Sequence, residues 1–163
     1  MGRRAENWVS HLDPSAGAEQ LIAARAHHLR RWTRPRGDYP EGRAGYLRWR
    51  ADAKSAHAGE LAGILRGEGA PELSVDLAAS LVRKDSLRTD PRAQTHEDAI
   101  CLTFLEAQLD QTADRLGDDA IVGVLVKTMR KMSPAGLASA RHLDLGTRSE
   151  SLVGRAAAEL KES

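Results

Sequence analysis

The chain has 163 residues, of which 41% are hydrophobic and 29% charged, and this balance predicts one globular domain over residues 1–163. Its 24 Lys and Arg residues nearly match its 23 Asp and Glu residues, and a net charge of +1 argues against a protein whose whole surface coats nucleic acid. No run of about 18 apolar residues occurs, and the opening MGRRAENWVS has no apolar stretch, so neither a membrane span nor a signal peptide is expected.

Apolar residues at helical spacing predict an all-α, single-domain bundle of about six to seven helices, preceded by a flexible segment over residues 1–14. Asp90 before Pro91 is the strongest helix start, because the aspartate caps the helix and proline suits its first position. No useful stretch alternates at period two, so no strand is expected. The expected helices run from Ser15 to about Trp32, Tyr46 to Leu65, Val75 to about Arg83, Pro91 to about Leu109, 118–132, 133–143 and about Ser149 to Leu160.

Three ionisable residues lie on the apolar faces of these helices. His28 follows Leu21 by seven residues, and His57 and Asp98 occupy comparable positions on the second and fourth predicted helices. At that spacing the neighbouring His27 is expected to point away from the apolar face that carries His28. Because an unpaired buried charge is costly, we expect His28, His57 and Asp98 to share a polar site. A divalent metal ion (Mn, Fe, Zn, Co or Mg) would compensate all three, and a metal-free histidine and aspartate network is the alternative.

The segment that joins the first two predicted helices is rich in arginine. Seven arginines occur from Arg30 to Arg50, against Asp38 and Glu41, around a connection with two prolines and three glycines. A guanidinium group pairs with phosphate or carboxylate through two parallel hydrogen bonds, so this segment is a candidate clamp for an anion. The alternative is that these arginines form ion pairs with nearby acids or are exposed to solvent. The candidate anion-binding residues are Arg31, Trp32, Arg36, Tyr39, Arg43, Tyr46 and Arg50, with Lys127 and Lys131 as weaker ones.

Several strings carry a family resemblance. The strings RRW, YPEGRAGYLRWR, LRTDPRAQTHEDAICLTFL and KTMRKMS resemble the signature blocks of the domain-of-unknown-function 4202 family, over roughly residues 18–145. The order His28, His57, Asp98 is also similar to that of the HD-domain superfamily. That resemblance implies an HD-like bundle in which a metal ion hydrolyses phosphate esters and nucleotides, or in which iron oxidises a small molecule. The chain departs from the HD pattern at Ala58, so another acid, Glu97 or Glu60, would have to complete the metal site.

We therefore expect a metal-dependent enzyme that hydrolyses a nucleotide or another phosphate ester. His28, His57 and Asp98 would bind the metal, Glu97 would complete its shell or act as the base, and the arginines would hold the phosphate. Iron-dependent oxidation on the same scaffold is one alternative. A non-catalytic RNA- or anion-binding module that uses residues 30–50 is the other. The single Cys101 is typical of a reducing compartment, so we expect a cytoplasmic protein in which this residue fills core.

Overall fold

A computed structural model describes residues 1–85, 87 and 89–162. These residues confirm the all-α class, with more helices than expected and no strand in the described ranges. No described helix is both long and apolar enough to cross a membrane. The helices are α1 (Gly2–Leu12), α2 (Ala18–Ala26), α3 (Gly42–Gly67), α4 (Glu72–Arg83), α5 (Pro91–Ala107), α6 (Leu109–Leu116), α7 (Asp118–Met129), α8 (Pro134–Ala140) and α9 (Thr147–Lys161), and two short 3₁₀ turns, Arg31–Thr33 and Arg36–Asp38, lie between α2 and α3.

Helix α5 is the centre of the bundle. It packs against α1, α2, α4, α6 and α8, so several of its sides are covered at once. An alanine-rich apolar cluster joins α2, α3 and α4, and a second one that is rich in leucine joins α7 and α9 to the end of α5 and to α6. The polar residues in the middle of α5, His96, Glu97, Asp98 and Thr103, are therefore buried against other helices.

The N-terminal residues differ from the expectation of a flexible segment. Residues 2–12 form α1, which packs on α2 and α5 and buries Ala5 and Val9 completely or nearly so. Trp8 Nε1 donates a hydrogen bond to Glu106 at the end of α5, at 2.9 Å. The four-residue spacing of Ala5 and Val9 is enough to hold a short helix because both residues find apolar partners across the interface.

The first predicted helix ends earlier than its apolar spacing indicates. Helix α2 stops at Ala26, and Arg30 adopts a left-handed backbone conformation with φ of 50°, which no continuous helix allows. The chain then turns back and begins α3 at Gly42, four residues before the predicted start. Gly45 is required there, because a Cβ at this position would lie 1.9 Å from the backbone oxygen of Pro40. This early turn decides where the two neighbouring histidines point.

The predicted fourth helix is also interrupted. Helix α5 ends at Ala107, Gln108 leaves helical geometry, and the separate helix α6 follows from Leu109 to Leu116. The sequence analysis did not anticipate α6. This break turns Thr112 and Arg115 toward the space that α5 shares with α3 and α4, where both residues line a cavity.

Candidate functional site

A cavity of about 570 Å³ lies between α3, α4, α5, α6 and α7, beside the connection that follows α2. Its wall is strongly cationic, and no carboxylate from the described part of the chain lines it. Aromatic and aliphatic surfaces, including Trp49, Phe104 and Ile100, cover the remaining wall. The cationic side chains of the lining are Arg31, Arg50, Lys54, Lys84, Arg115 and Lys131.

Four histidines also line the cavity: His27, His28, His57 and His96. The ring centroids of His27 and His28 are 4.2 Å apart, and those of His28 and His57 are 6.4 Å apart. The expectation that His27 points away was wrong, because α2 ends at Ala26 and helical spacing no longer separates the two rings. His27 is buried, and its Nδ1 donates to the Ala24 backbone oxygen at 2.7 Å.

Burial keeps these imidazoles neutral near pH 7. Desolvation lowers the pKa of His27 to about 4 and that of His28 to about 3, and it also lowers the pKa of His57. Arg31 Nη1 lies 2.7 Å from His28 Nε2. Because a guanidinium group can only donate, His28 Nε2 accepts this hydrogen bond and its proton lies on Nδ1.

His96 is a site residue that the sequence analysis missed. It is 1% exposed, it lines the cavity, and neither of its ring nitrogens has a hydrogen-bond partner among the residues that the structure describes. Burial lowers its pKa to about 3, with smaller contributions from Lys84 and His27. Buried polar atoms in native proteins almost always have partners, so two unpartnered nitrogens facing a cavity point to a missing ligand or ordered water. An apolar stripe could not have revealed His96, since α5 has no single buried face.

Glu97 holds two of the cationic groups in place. Its side chain is 4% exposed, it forms an ion pair with Lys84, and its Oε1 lies 3.8 Å from Lys131 Nζ. Glu97 was expected to complete a metal shell or to act as a base. In the structure it instead positions two ammonium groups at the cavity.

Burial raises the pKa of the adjacent Cys101 thiol to about 12, so this thiol stays protonated.

Asp98 does not join the histidines. Its Oδ1 accepts hydrogen bonds from the backbone nitrogen of Ser133 and from Gln94 Nε2, both at 2.9 Å, and its Oδ2 accepts one from the Ser133 hydroxyl. Ser133 in turn caps α8. Residues two apart on a helix point about 200° away from each other, so His96 faces the cavity while Asp98 faces α8. The expected convergence of His28, His57 and Asp98 is therefore not found.

In this arrangement other groups engage two of the predicted metal ligands, His28 and Asp98. No three His, Cys, Asp or Glu side chains within the described ranges are placed to share a metal ion. The Nε2 lone pair of His28 is used by Arg31, and both oxygens of Asp98 are used by Ser133 and Gln94. Glu60, the other candidate acid, lies outside the cavity lining and has one buried oxygen without a partner among the described residues.

The arginine-rich segment divides into residues at the cavity and residues outside it. Arg31 lies over the Trp49 ring at 4.9 Å, Arg50 lies over Tyr46 at 5.7 Å, and all four line the cavity, as does Lys131. Arg36 lines an adjoining cavity of about 440 Å³. Four expected binding residues lie outside both linings: Trp32, which is 77% exposed, Tyr39, Arg43 and Lys127.

Comparison with known proteins gives a family and no activity. The sequence profile of the family "Domain of unknown function (DUF4202)" matches residues 1–153. No curated protein and no solved structure matches the chain. These comparisons leave the HD-domain resemblance a prediction. The match over residues 1–153 confirms the family resemblance of the signature strings, and the chain belongs to the DUF4202 family.

Proposed function

We propose that this protein binds an anionic small molecule, a nucleotide or another phosphate ester, in the cationic cavity and hydrolyses it. The observation that carries the proposal is the composition of the wall, with six cationic side chains and no carboxylate among the described residues that line it. A cavity of about 570 Å³ is also within the usual size range of small-molecule sites.

Mutual repulsion within the wall supports an anionic ligand. Burial lowers the pKa of Arg31, and the nearby Arg50 and Arg115 lower it further, while Tyr46 opposes them. Like charges that are brought together and partly desolvated destabilise the empty protein. A bound phosphate would turn this repulsion into charge-assisted hydrogen bonds.

The apolar part of the wall suits a planar group such as a nucleobase. Trp49 is held in place because its Nε1 donates to the Arg34 backbone oxygen at 3.0 Å and because Arg31 stacks on its ring. Tyr46 lies beside it, with a distance of 5.9 Å between the ring centroids. Aromatic rings fixed in this way provide stacking area at a low cost in side-chain entropy.

The neutral imidazoles supply a base for hydrolysis. We assign this role to His57, which is buried at the cavity and whose pKa burial lowers, while His28 is engaged by Arg31. His57 would take a proton from a water molecule as the water oxygen forms a bond to phosphorus. The ester bond between phosphorus and the leaving oxygen would break, and protonated His57 would return the proton, directly or through water, to that oxygen. The cationic side chains would stabilise the negative charge that develops on the phosphoryl oxygens.

Calorimetric titration of the full chain with 5′-AMP, together with assay of released phosphate, tests the proposal. We expect saturable binding that Arg31→Gln weakens and that His57→Gln retains while phosphate release is lost. Arg48→Gln is the matched control, because it removes one charge from an exposed position of α3 outside both cavities. If neither AMP nor inorganic phosphate bound at low ionic strength, the proposal would be wrong.

Metal-dependent hydrolysis and iron-dependent oxidation stay predictions for the same site. The 6.4 Å separation of the His28 and His57 rings favours a shared ligand, although Arg31 would have to release His28 first. Elemental analysis of protein purified without chelator tests this alternative. One equivalent of metal that is lost in His57→Ala would support it, and a wild-type protein without bound metal would contradict it.

RNA binding through residues 30–50 is favoured by one observation, the 77% exposure of Trp32 within an arginine-rich segment. Electrostatic contacts to RNA weaken steeply with salt. Titration of single-stranded RNA at two salt concentrations tests this function. RNA binding through residues 30–50 predicts that RNA affinity falls at the higher salt concentration and in Trp32→Ala, and that it is unchanged in His57→Gln. The cavity proposal predicts that AMP affinity falls in Arg31→Gln and is unchanged in Trp32→Ala, because Trp32 lies outside both cavity linings.

A further inference from the structure

We infer that the ligand carries two separated anionic groups, one at each end of a planar middle. This inference rests on the proposed function and narrows its substrate class. It comes from two adjoining cationic cavities that share one aromatic wall. Arg31, Arg115, Tyr46 and Trp49 line both cavities, so the two spaces meet at these side chains.

The inner end is built around Lys84, Lys131 and His96. Glu97 lies between the two ammonium groups, so one carboxylate faces two positive charges and a net positive charge remains there. Both ring nitrogens of His96 lack partners within the described ranges, although the residue is only 1% exposed. An anionic group at this end would neutralise the excess charge and would give the imidazole N–H its missing acceptor.

The outer end is built from the arginine-rich connection. The cavity of about 440 Å³ is lined by Arg34 and Arg36 in addition to the shared residues, and no described carboxylate lines it. Arg36 is oriented toward this space because its guanidinium donates to the backbone oxygens of Tyr39 and Pro40, both at 2.9 Å. The backbone of Arg34 is fixed by the hydrogen bond from Trp49.

The two ends place cations in two different cavities. Lys84 lines only the inner cavity and Arg34 only the outer one, with Trp49 at their boundary. Charge-assisted hydrogen bonds reach about 3 Å, so a phosphate held by Lys84 is paired by residues of the inner cavity, whereas Arg34 lines the outer one. A planar group on Trp49 and Tyr46 with an anionic group on each side satisfies both ends.

Two non-hydrolysable probes that share one ring test this inference. Phenylphosphonic acid carries one anionic group, and benzene-1,4-diphosphonic acid carries a second one on the opposite side of the ring. In calorimetric titration of the full chain, we expect the diphosphonate to bind at least about tenfold more tightly than the monophosphonate. We expect Arg34→Gln to weaken the diphosphonate more than the monophosphonate and so to reduce this advantage.

The controls separate this inference from the proposed function. Arg48→Gln removes a charge outside both cavities and should leave both affinities unchanged, and His96→Leu should weaken both probes. If the two probes bound equally well, or if Arg34→Gln weakened both equally, the two-ended ligand would be wrong while anion binding stands. If neither probe bound, the proposed function would fail together with the inference.

Discussion

Arginines at the two ends of this molecule meet very different surroundings. In the C-terminal helices, Arg148 contacts Asp114 and Asp118 at 2.5 and 2.6 Å, and Arg155 contacts Asp119 at 2.7 Å. At the cavity, Arg31 and Arg50 lie over aromatic rings, and no described contact joins either to a carboxylate. Exposed pairs of the first kind are common on protein surfaces, whereas unpaired cations gathered in a concave site are typical of anion binding.

The apolar clusters of the two regions also differ, in the size of their side chains. The cluster around α7 and α9 contains large side chains such as Leu125, Ile121 and Leu152, all buried. The cluster of α2, α3 and α4 is built mostly from alanines and is bordered by the histidines of the cavity. From this difference we expect the leucine-rich cluster to contribute more to the free energy of unfolding than the alanine-rich cluster beside the cavity.

The largest effect should follow from Leu125→Ala. Leu125 is fully buried, and removing a buried leucine leaves a void that lowers the free energy of unfolding by about 2–5 kcal/mol. Denaturant titration measures this loss. Phosphonate affinity at a temperature where the variant is folded should equal that of the wild type. A folded variant with weakened binding would show that the two regions are not separate.

Arg31→Gln should have the next largest effect, on binding rather than on stability. Hydrogen bonds to charged groups contribute about 1.5–3 kcal/mol, so we expect affinity for phenylphosphonic acid to fall by about 10- to 150-fold. Arg148→Gln is the control, because Arg148 is ion-paired in the C-terminal helices, and it should change this affinity by less than about twofold. Equal losses in the two variants would contradict the proposed difference between the regions.

Acid should destabilise the cavity region through its neutral histidines. The unfolded chain protonates His96 near pH 6.5, whereas the folded protein holds its pKa at about 3, so the unfolded state binds more protons between these values. Stability is therefore full above pH 6.5 and falls as the pH decreases, by up to about 1.4 kcal/mol per pH unit for each such residue. His96→Leu should give a shallower decline between pH 6 and 4 in denaturant titrations. Identical slopes would show that His96 is charged in the folded protein.

The smallest effect should come from Arg155→Gln. The side chain of Arg155 is about half exposed and that of its partner Asp119 is 95% exposed, so water screens this pair. We expect a loss of less than about 1 kcal/mol in the free energy of unfolding and no change in ligand affinity. A larger loss would mean that surface pairing contributes substantially to the stability of the C-terminal helices.

Local signals in the sequence predicted several helix starts correctly. Asp90 caps α5 by accepting from the backbone nitrogen of Arg92 at 2.9 Å, and Ser133 caps α8 by accepting from that of Gly136 at 3.1 Å. Such caps depend only on residues within one turn, so they can be read from the chain itself. His57 at the cavity also follows from its apolar spacing on α3.

The site residues that sequence reasoning missed or assigned to other roles depend on distant contacts. His27 turns inward because α2 ends at Ala26, which no cap residue announces. His96, Glu97 and Asp98 are consecutive and all buried, since α5 is enclosed by five helices. An argument from hydrophobic periodicity assumes that a helix has one buried face. It therefore could not distinguish the side of α5 that faces the cavity from the side that faces α8.

Lys84 meets two requirements that few residues satisfy together. It ends α4 in a left-handed conformation with φ of 63°, which favours glycine or asparagine, yet its ammonium group forms the ion pair with buried Glu97. A saturation library at this position, selected for folding and ligand capture at once, should therefore return lysine. Valine and isoleucine would be excluded because they strain a left-handed backbone. Glycine and asparagine would be excluded because they cannot form the ion pair with Glu97.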